Sequence, residues 1–449
     1  MNAKYLIFVF FVLFLSMSVI SANELNQNNA TSLNDDSSME IVNYHDETNL
    51  NDDYLQVSSQ EVISNDNEFI VVNNWEELQY YCTQSDKNYN LKLKENTNFY
   101  PSTPTDVNSQ IKIKNNVKII GSEGSWFGDS SPDAVKLKFL PIVVENDARV
   151  GLTLENITFK WIKAGGSTNL PDGMFIKIGG KKNTIIKNCI FQDIQTTVGH
   201  SCIVHLSKGT MTLDNCSFIR CNTNYGCLSV YGSSPDMAVQ NCYFENNYAK
   251  TEPGCINNCG KLTVYNTTFY KNRAGSWAGA IHTHSGASST IYDSNFIDNV
   301  AGWNGGALYT YGNLKIYNSI FRGNNCTTNN GGGAIGACEY GSQPHIYIEK
   351  CLFEENSNNC WALDSLSTEG TGRGGAISLM DKGSLEVRDT IFIANSASIG
   401  TAICAIAVVN YGSPDVILIN NSFINHTRVG DVLIIQLWNS SYKNISNNF

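Results

Sequence analysis

Charged residues and prolines are both scarce in this chain of 449 residues. Asp, Glu, Lys and Arg together make up 16% of it, and it contains only 9 prolines. Glycine, with 36 copies, and asparagine are frequent, and aromatic residues reach 11%. This composition is untypical of a largely helical protein and favours many short β-strands joined by tight turns.

Basic residues are too scattered to form a positively charged stripe. The formal net charge is −11, and ten of the acidic residues lie within residues 23–67, which contain no Lys or Arg. Apart from Lys4, the rest of the chain holds 31 acidic and 29 basic residues and is therefore nearly neutral. Because nothing is arranged to neutralise phosphates, we expect no nucleic-acid partner.

Long apolar runs are missing as well, with one exception near the first residue. Lys4 is followed by an apolar run over residues 5–19 and then by the small residues Ser21 and Ala22. This order predicts a signal peptide over residues 1–22. An uncleaved membrane anchor is the alternative, although the run is short for a span of about 20 residues. In both cases we expect a secreted or cell-surface protein, which contacts a membrane only through this segment if it stays attached.

Two regions precede the repeats. Residues 23–67 are rich in Asn, Asp and Ser and predict a disordered acidic linker. Residues 68–150 predict an N-terminal cap with the first coils, in which residues 69–72 form a strand. Asn74, with Glu77 three residues later, is typical of a helix start. A short amphipathic helix at this point would shield the open end of a stack of coils.

Residues 151–449 carry a repeat that is anchored on a phenylalanine. Successive anchors lie 25 to 39 residues apart, which indicates stacked coils. The ten anchors are Phe159, Phe191, Phe218, Phe244, Phe269, Phe296, Phe321, Phe353, Phe392 and Phe423.

Asn or Asp stands three residues before the anchor in nine of the ten coils. The residue five positions before the anchor is always aliphatic, which indicates that it faces the core as the anchor does. Inward-facing side chains of one strand are separated by even numbers of residues, so these two positions cannot belong to one regular strand. The chain must therefore turn at the Asn between them. Asn tolerates the left-handed backbone conformation that such a turn requires. Stacked Asn amides about 4.8 Å apart can form a hydrogen-bonded ladder. The predicted ladder residues are Asn156, Asn188, Asn215, Asn241, Asn266, Asn318 and Asn420.

A second block follows the anchor. Asn recurs three residues after it in six coils, at Asn247, Asn272, Asn299, Asn324, Asn356 and Asn395. A turn of small residues then leads into a third strand, with clear copies at 305–308, 332–335 and 374–377. Three short strands per coil predict an all-β, right-handed parallel β-helix solenoid of about ten or more coils, since parallel crossovers are right-handed.

These motifs have known counterparts. The combination of FxxN with GGAI resembles polymorphic membrane protein repeats. Over residues 67–435 the chain more closely resembles the adhesin-like surface proteins of methanogenic archaea, including the stretches 74–79 and 302–307. That resemblance implies a pectin-lyase-like right-handed β-helix. It also implies an adhesin-like or envelope protein that binds glycans, neighbouring cells or host surfaces.

The sequence shows no arrangement of carboxylates like those that enzymes of this fold use in catalysis. A glycoside hydrolase needs two carboxylates that flank the scissile bond, yet the Asp-Asp pairs at 35–36 and 52–53 fall in the acidic linker. A calcium-dependent lyase needs clustered Asp ligands near a base, and the acidic residues of the coils are scattered. We therefore expect a non-catalytic protein without a cofactor, with a polysaccharide lyase or glycoside hydrolase as the alternative.

Histidines and cysteines leave two questions about metals and disulfides. His282 and His284 point the same way from one strand, but no third ligand is evident, so we expect no metal. Fourteen cysteines in an exported chain suit disulfides. Since Cys, Ser, Thr and Ala exchange at the same repeat positions, buried free thiols are equally compatible with the pattern.

A candidate ligand-binding strip follows from the phase of the third strands. If Ile281 and Leu308 face the core, the alternate side chains face outward. The predicted strip consists of Trp277, His282, His284, Trp303, Tyr309 and Tyr311, with Tyr231 in the same phase. His282 should then stack on Tyr309, and His284 on Tyr311. Exposed rings and imidazoles suit the faces and hydroxyls of sugars; the alternative is that these rings fill the core.

Overall fold

The computed structural model describes residues 68–132, 137, 141–163, 174–196, 199–328, 331–338, 343–358, 360, 372–407, 412–426, 432–436 and 442–449. The signal peptide predicted for residues 1–22 and the linker predicted for residues 23–67 lie outside the described residues. Within the described ranges, no helix has the length and apolar character needed to cross a membrane.

A short cap precedes the coils, as the sequence predicts. Helix α1 (Trp75–Thr83) begins after Asn74, whose side chain accepts a hydrogen bond of 2.8 Å from the backbone N–H of Glu77. The Glu77 carboxylate reaches back to the backbone N–H of Asn73, at 2.7 Å. Trp75 is buried, and its ring meets Phe127 of the coils edge-on at 6.0 Å. A 3-10 turn at Val107–Ser109 follows.

Each coil contains up to four short strands, and equivalent strands of successive coils pair in parallel. We call the four sets of equivalent strands the first to fourth columns. The first column follows the small-residue turn and consists of Ile111–Lys112, Ile142–Val144, Met174–Ile178, Ile256–Asn258, Ile281–Thr283, Leu308–Thr310, Ile335–Cys338, Ile377–Met380, Ile403–Ile406 and Leu433–Gln436. Two longer strands, Cys202–Asp214 and Leu228–Gln240, run through the first and second columns.

The second column precedes the Asn turn, and together with the first it forms a 24-stranded sheet. Its remaining strands are Ile70–Val72, Tyr89–Leu93, Val117–Ile120, Leu152–Glu155, Thr184–Lys187, Lys261–Tyr265, Ser288–Tyr292, Asn313–Tyr317, His345–Glu349, Gly383–Arg388, Pro414–Ile419 and Tyr442–Ile445. Side chains alternate between buried and half-exposed along these strands, which is the pattern of a sheet with one face on the core.

The third column carries the anchor phenylalanines in a 12-stranded sheet. It consists of Asn98–Phe99, Trp126–Phe127, Thr158–Lys160, Ile190–Gln192, Ser217–Ile219, Tyr243–Glu245, Thr268–Tyr270, Asn295–Ile297, Ile320–Arg322, Leu352–Glu354, Ile391–Ile393 and Ser422–Ile424. The fourth column is an 8-stranded sheet of residue pairs. It consists of Gln195–Thr196, Asn222–Thr223, Tyr248–Ala249, Arg273–Ala274, Val300–Ala301, Asn325–Cys326, Ser357–Asn358 and Ser396–Ala397.

The core is a stack of phenylalanine rings inside the coils. From Phe159 to Phe423, consecutive anchor rings lie 4.5 to 5.0 Å apart and within 10° of parallel. Phe99 and Phe127 extend the third column below the first anchor. The predicted parallel stack of ten anchored coils with additional first coils is therefore confirmed.

The Asn turn has the predicted backbone conformation. All ten residues three positions before the anchors have φ between 44° and 56°, including Lys350. The predicted side-chain ladder at this position is only partly formed, because the seven Asn residues are exposed. Asn215 donates to Asn188, Asn266 donates to Asn241 and Asn420 donates to Asp389, but Asn241 turns to Asp214. The predicted ladder is therefore confirmed only in separate segments.

A continuous ladder does exist, at the Asn residues three positions after the anchors. The Nδ2 of each of the first five donates to the Oδ1 of the next Asn at 2.9 to 3.0 Å, and all six Nδ2 atoms donate to a Phe carbonyl. Each of the five Oδ1 atoms from Asn272 onward also accepts the backbone N–H of the preceding Asn. The six side chains are buried. Their donors and acceptors are satisfied by equivalent groups, so the ladder stabilises the core.

Close contact between coils explains the small-residue turn. A Cβ on Gly279 would collide with the carbonyl oxygen of Gly306, and a Cβ on Gly306 would collide with that of Gly333. Larger residues at these positions would force the coils apart. The described cysteines are all free thiols, and most are buried. The thiol of Cys216, for example, donates to the carbonyl oxygen of Ile186 at 3.3 Å.

Candidate functional site

A cavity of about 780 Å³ opens beside the first-column strand Ile281–Thr283. Its lining includes four of the six residues of the predicted strip, together with Tyr231 and Glu252: Tyr231, Glu252, Trp277, His282, His284 and Tyr311. These residues come from consecutive coils, so the stacking of the solenoid brings them together.

The predicted phase of the strip is confirmed, but its predicted exposure is wrong for three of its six residues. Ile281 and Leu308 belong to the main core, and His282 pairs in register with Tyr309. Yet His282 and Tyr309 are each only 1% exposed, and Tyr311 is also buried. The alternative, a reversed phase with these rings in the core, is right about the burial of Tyr309 and Tyr311 and wrong about the phase, since both rings form a cluster separate from the main core.

Trp277 is the physical reason for this burial. Its ring lies nearly parallel to that of His282 at 5.6 Å and to that of Tyr309 at 5.5 Å. It therefore covers the outer face of two neighbouring strands. Trp303 meets Trp277 edge-on at 5.7 Å and is 54% exposed. The predicted stack of His284 on Tyr311 takes another form, in which both rings pack on His282, at 3.9 and 5.4 Å.

The turns before the first-column strands position Trp277, which covers the rings, and Glu252, the carboxylic acid of the cavity. Gly254 and Gly279 occupy equivalent places, because a Cβ on Gly254 would collide with the Gly279 carbonyl. Glu252 and Trp277 stand two residues before these glycines, on consecutive coils. The backbone N–H of Glu252 donates to the carbonyl of Asn224 at 3.0 Å, which fixes the turn.

Glu252 and the two histidines form the polar centre of the cavity. His282 Nδ1 lies 2.9 Å from Glu252 Oε2, and His284 Nε2 lies 3.8 Å from the same oxygen. Burial lowers the pKa of His282 to about 3 and that of His284 to about 4, and raises the pKa of Glu252 to about 7. The contact of His282 with Glu252 is therefore a hydrogen bond that involves a neutral imidazole.

The third side chain that could ligate a metal, which the sequence did not reveal, is that of Glu252. One ligand atom each from Glu252, His282 and His284 lie within 4.8 Å of one another. The statement that no third ligand accompanies the two histidines is thereby corrected. An alignment of Gly254 with Gly279 would have placed Glu252 one coil from Trp277. Gly232, Cys259 and Ser285, the other lining residues that were not predicted, have no comparable sequence signal.

The cavity lining combines one carboxylate with aromatic rings and further polar groups. Among its described lining residues, Glu252 is the only carboxylate. Aromatic rings provide apolar faces, and Glu252, His284 and Ser285 provide hydrogen-bonding groups.

Comparison with known proteins agrees with the architecture. Residues 141–295 match the family described as right handed beta helix region, and residues 293–311 match the Chlamydia polymorphic membrane protein repeat. No curated protein matches the chain. A solved structure described as "a new PL6 alginate lyase complex with trisaccharide" is similar at 11% identity and a TM-score of 0.36, over 83% of this chain and 89% of that chain. A similarity of this strength carries no argument about function.

The parallel columns, the stacked anchors and the match over residues 141–295 define the class: the chain is a right-handed parallel β-helix protein. Within it, the coil at residues 293–311 is similar to the repeats of polymorphic membrane proteins.

Proposed function

We propose that this β-helix is an adhesin-like protein of the cell surface that binds saccharides without converting them, with the cavity beside Ile281–Thr283 as its binding site. The observation that carries the proposal is the joint lining of this cavity by aromatic rings and polar groups. Tyr231, Trp277 and Tyr311 contribute rings, while Glu252 and His284 contribute hydrogen-bonding atoms.

The chemistry of sugars fits this combination. Pyranose rings present apolar C–H faces that pack on aromatic rings, and hydroxyl groups that pair with carboxyl and imidazole groups. Tyr231 is 64% exposed at the cavity and can meet a ligand without any rearrangement of the coils.

A location at the cell surface is supported by two similarities of the repeat. The repeat at residues 293–311 matches a family named for membrane proteins of Chlamydia. The motifs of the coils also resemble adhesin-like surface proteins of methanogenic archaea. The apolar segment after Lys4 is consistent with export.

Binding of the purified full-length chain to a glycan array tests the proposal, and Tyr231→Ala is the informative variant. We expect Tyr231→Ala to weaken binding of the retained glycans by at least about tenfold, since stacking on one ring contributes about 1–3 kcal/mol. The melting temperature should change little because Tyr231 is exposed.

Tyr265→Ala is the matched control, because Tyr265 is also an exposed tyrosine, at 46%, and does not line the cavity. Its binding should equal that of the unaltered chain. Equal binding by both variants, or no retained glycan, would contradict the proposed site.

A polysaccharide-active enzyme is the second candidate, and one observation favours it. Glu252 has its pKa raised to about 7 by burial beside two neutral histidines, as general acids and bases often do. Incubation with polygalacturonate, pectin and host glycans distinguishes the two functions. Product release that disappears in Glu252→Gln would establish the enzyme and refute a purely binding role.

A further inference from the structure

We propose that Glu252, His282 and His284 bind one divalent transition-metal ion, for which Zn²⁺ is the best-fitting choice. The proposal does not depend on saccharide binding in the same cavity. It rests on the arrangement of the three ligand atoms, on their chemical type and on the surroundings that hold them.

The distances fit a zinc site. Tetrahedral Zn²⁺ holds nitrogen and oxygen ligands at about 2.0–2.2 Å, so the ligand atoms lie roughly 3.3 Å from one another. His282 Nδ1 and His284 Nε2 are 2.9 and 3.8 Å from Glu252 Oε2, and one atom of each residue lies within 4.8 Å of the others. Only small side-chain shifts are needed to bring all three to one ion.

The donor types select the class of metal. Two imidazole nitrogens and one carboxylate oxygen suit Zn²⁺, Co²⁺, Ni²⁺ or Cu²⁺, whereas Ca²⁺ and Mg²⁺ prefer oxygen donors throughout. Three protein ligands leave at least one coordination position for water or for an oxygen atom of a molecule in the cavity.

The ligands are held in place before a metal arrives. His282 is pressed between its strand and the parallel ring of Trp277, and the turn that carries Glu252 is hydrogen-bonded to Asn224. His284 Nε2 donates to Asn257 Oδ1 at 2.7 Å. A metal at Nε2 takes the place of that proton, which moves to Nδ1 of the neutral ring.

Two features of the cluster are typical of a binding site. Glu252 is a buried carboxyl group whose nearest polar neighbours in the cavity are the imidazoles of His282 and His284, and a divalent ion would neutralise its carboxylate. His282 Nε2 is buried and has no hydrogen-bond partner among the described residues, and unsatisfied buried polar groups are characteristic of functional sites.

The test uses the purified full-length chain, stripped with a chelator and titrated with Zn²⁺ by calorimetry and with Co²⁺ by visible absorption. We expect one equivalent to bind with tetrahedral Co²⁺ bands and without the near-ultraviolet charge-transfer absorption of thiolate ligands. Glu252→Gln, His282→Gln and His284→Gln should each weaken binding at least tenfold.

His205→Gln is the matched control, since His205 is also a buried histidine and lies in the same run of paired positions as Ser229, Asn257 and His282. It should bind Zn²⁺ as the unaltered chain does. If His282→Gln fails to fold because His282 is fully buried, His284→Gln still tests the site, since His284 is only half-buried. The absence of binding at millimolar Zn²⁺, thiolate absorption, or binding unchanged in His284→Gln and Glu252→Gln overturns the proposal.

Discussion

Glu252 and the histidines beside it respond to burial in opposite directions. Burial disfavours charge on all three groups, so it raises the pKa of the acid and lowers the pKa values of the bases. Around neutral pH both histidines are therefore neutral, and Glu252 is close to its titration midpoint. Around neutral pH, Glu252 therefore gains or loses a proton while the charges of the two histidines do not change.

This difference predicts opposite pH dependences for two variants. Between its ordinary value of 4.5 and about 7, Glu252 binds more protons in the folded than in the unfolded chain, so its contribution to stability is lost as the pH rises through this window. Relative to the unaltered chain, Glu252→Gln should therefore gain stability between about pH 5 and pH 8, by on the order of 2–3 kcal/mol at most. Thermal unfolding at a series of pH values measures the difference.

For His282→Gln, the gain in stability relative to the unaltered chain should grow as the pH falls rather than as it rises. His282 stays unprotonated in the folded chain down to about pH 3, whereas its ordinary pKa is 6.5. As the pH falls through this range, the unfolded chain binds a proton at His282 that the folded chain does not, so the unaltered chain loses stability. His282→Gln should therefore become more stable relative to the unaltered chain below about pH 6. A flat difference for Glu252→Gln would contradict the raised pKa.

Among the elements, the two Asn positions of the repeat have different tasks. The Asn before the anchor supplies the left-handed backbone of an exposed turn, and Lys350 can replace it. In the six coils that carry it, the Asn after the anchor is buried, and its side chain completes the hydrogen bonding of its neighbours. Within this run of coils, only the second position therefore depends on the amide group itself.

Asn299→Ala tests this division. Removing the amide leaves the Phe269 carbonyl, the Asn272 backbone N–H and the neighbouring Asn amides with fewer partners. We expect a loss of about 3 kcal/mol in the free energy of unfolding, from about 1–3 kcal/mol per unpaired buried group. Chemical denaturation measures the loss. Asn266→Gly is the control, because glycine adopts a positive φ without strain, and its effect should stay below about 1 kcal/mol.

The strands and turns could be predicted from sequence because their signals are local. An aliphatic residue, an Asn and a Phe at fixed offsets determine which side chains of one coil face inward. Asn occurs three residues before the anchor and again three residues after it. The spacing alone therefore does not say which of the two Asn side chains is buried. The cavity depends on contacts between coils: whether His282 is exposed is decided by Trp277, and the carboxylate comes from Glu252 one coil earlier.

At the scale of the molecule, each coil contacts mainly its two neighbours, so damage should stay local. The ring of Phe269 lies 4.8 Å from those of Phe244 and Phe296. Phe269→Ala should cost about 3–5 kcal/mol, as truncation of a buried aromatic residue does. Hydrogen exchange should rise most in the coils on either side and fade with distance along the stack.

Tyr265→Ala changes an exposed tyrosine of the same coil and should leave the exchange pattern unaltered. A uniform rise in exchange over the whole stack after Phe269→Ala would show instead that the solenoid unfolds as one cooperative unit.

The stacking of equivalent residues also bears on how genes for such chains can change in length. Duplication or loss of a whole coil between residues 312 and 423 would preserve the Phe column and leave the cavity untouched. The cavity itself is encoded in four consecutive coils, with Tyr231 on the first, Glu252 on the second, Trp277 and His282 on the third, and Tyr311 on the fourth. A recombination event within that stretch would separate its parts, so a change in the length of the stack preserves the cavity only where it falls outside these four coils.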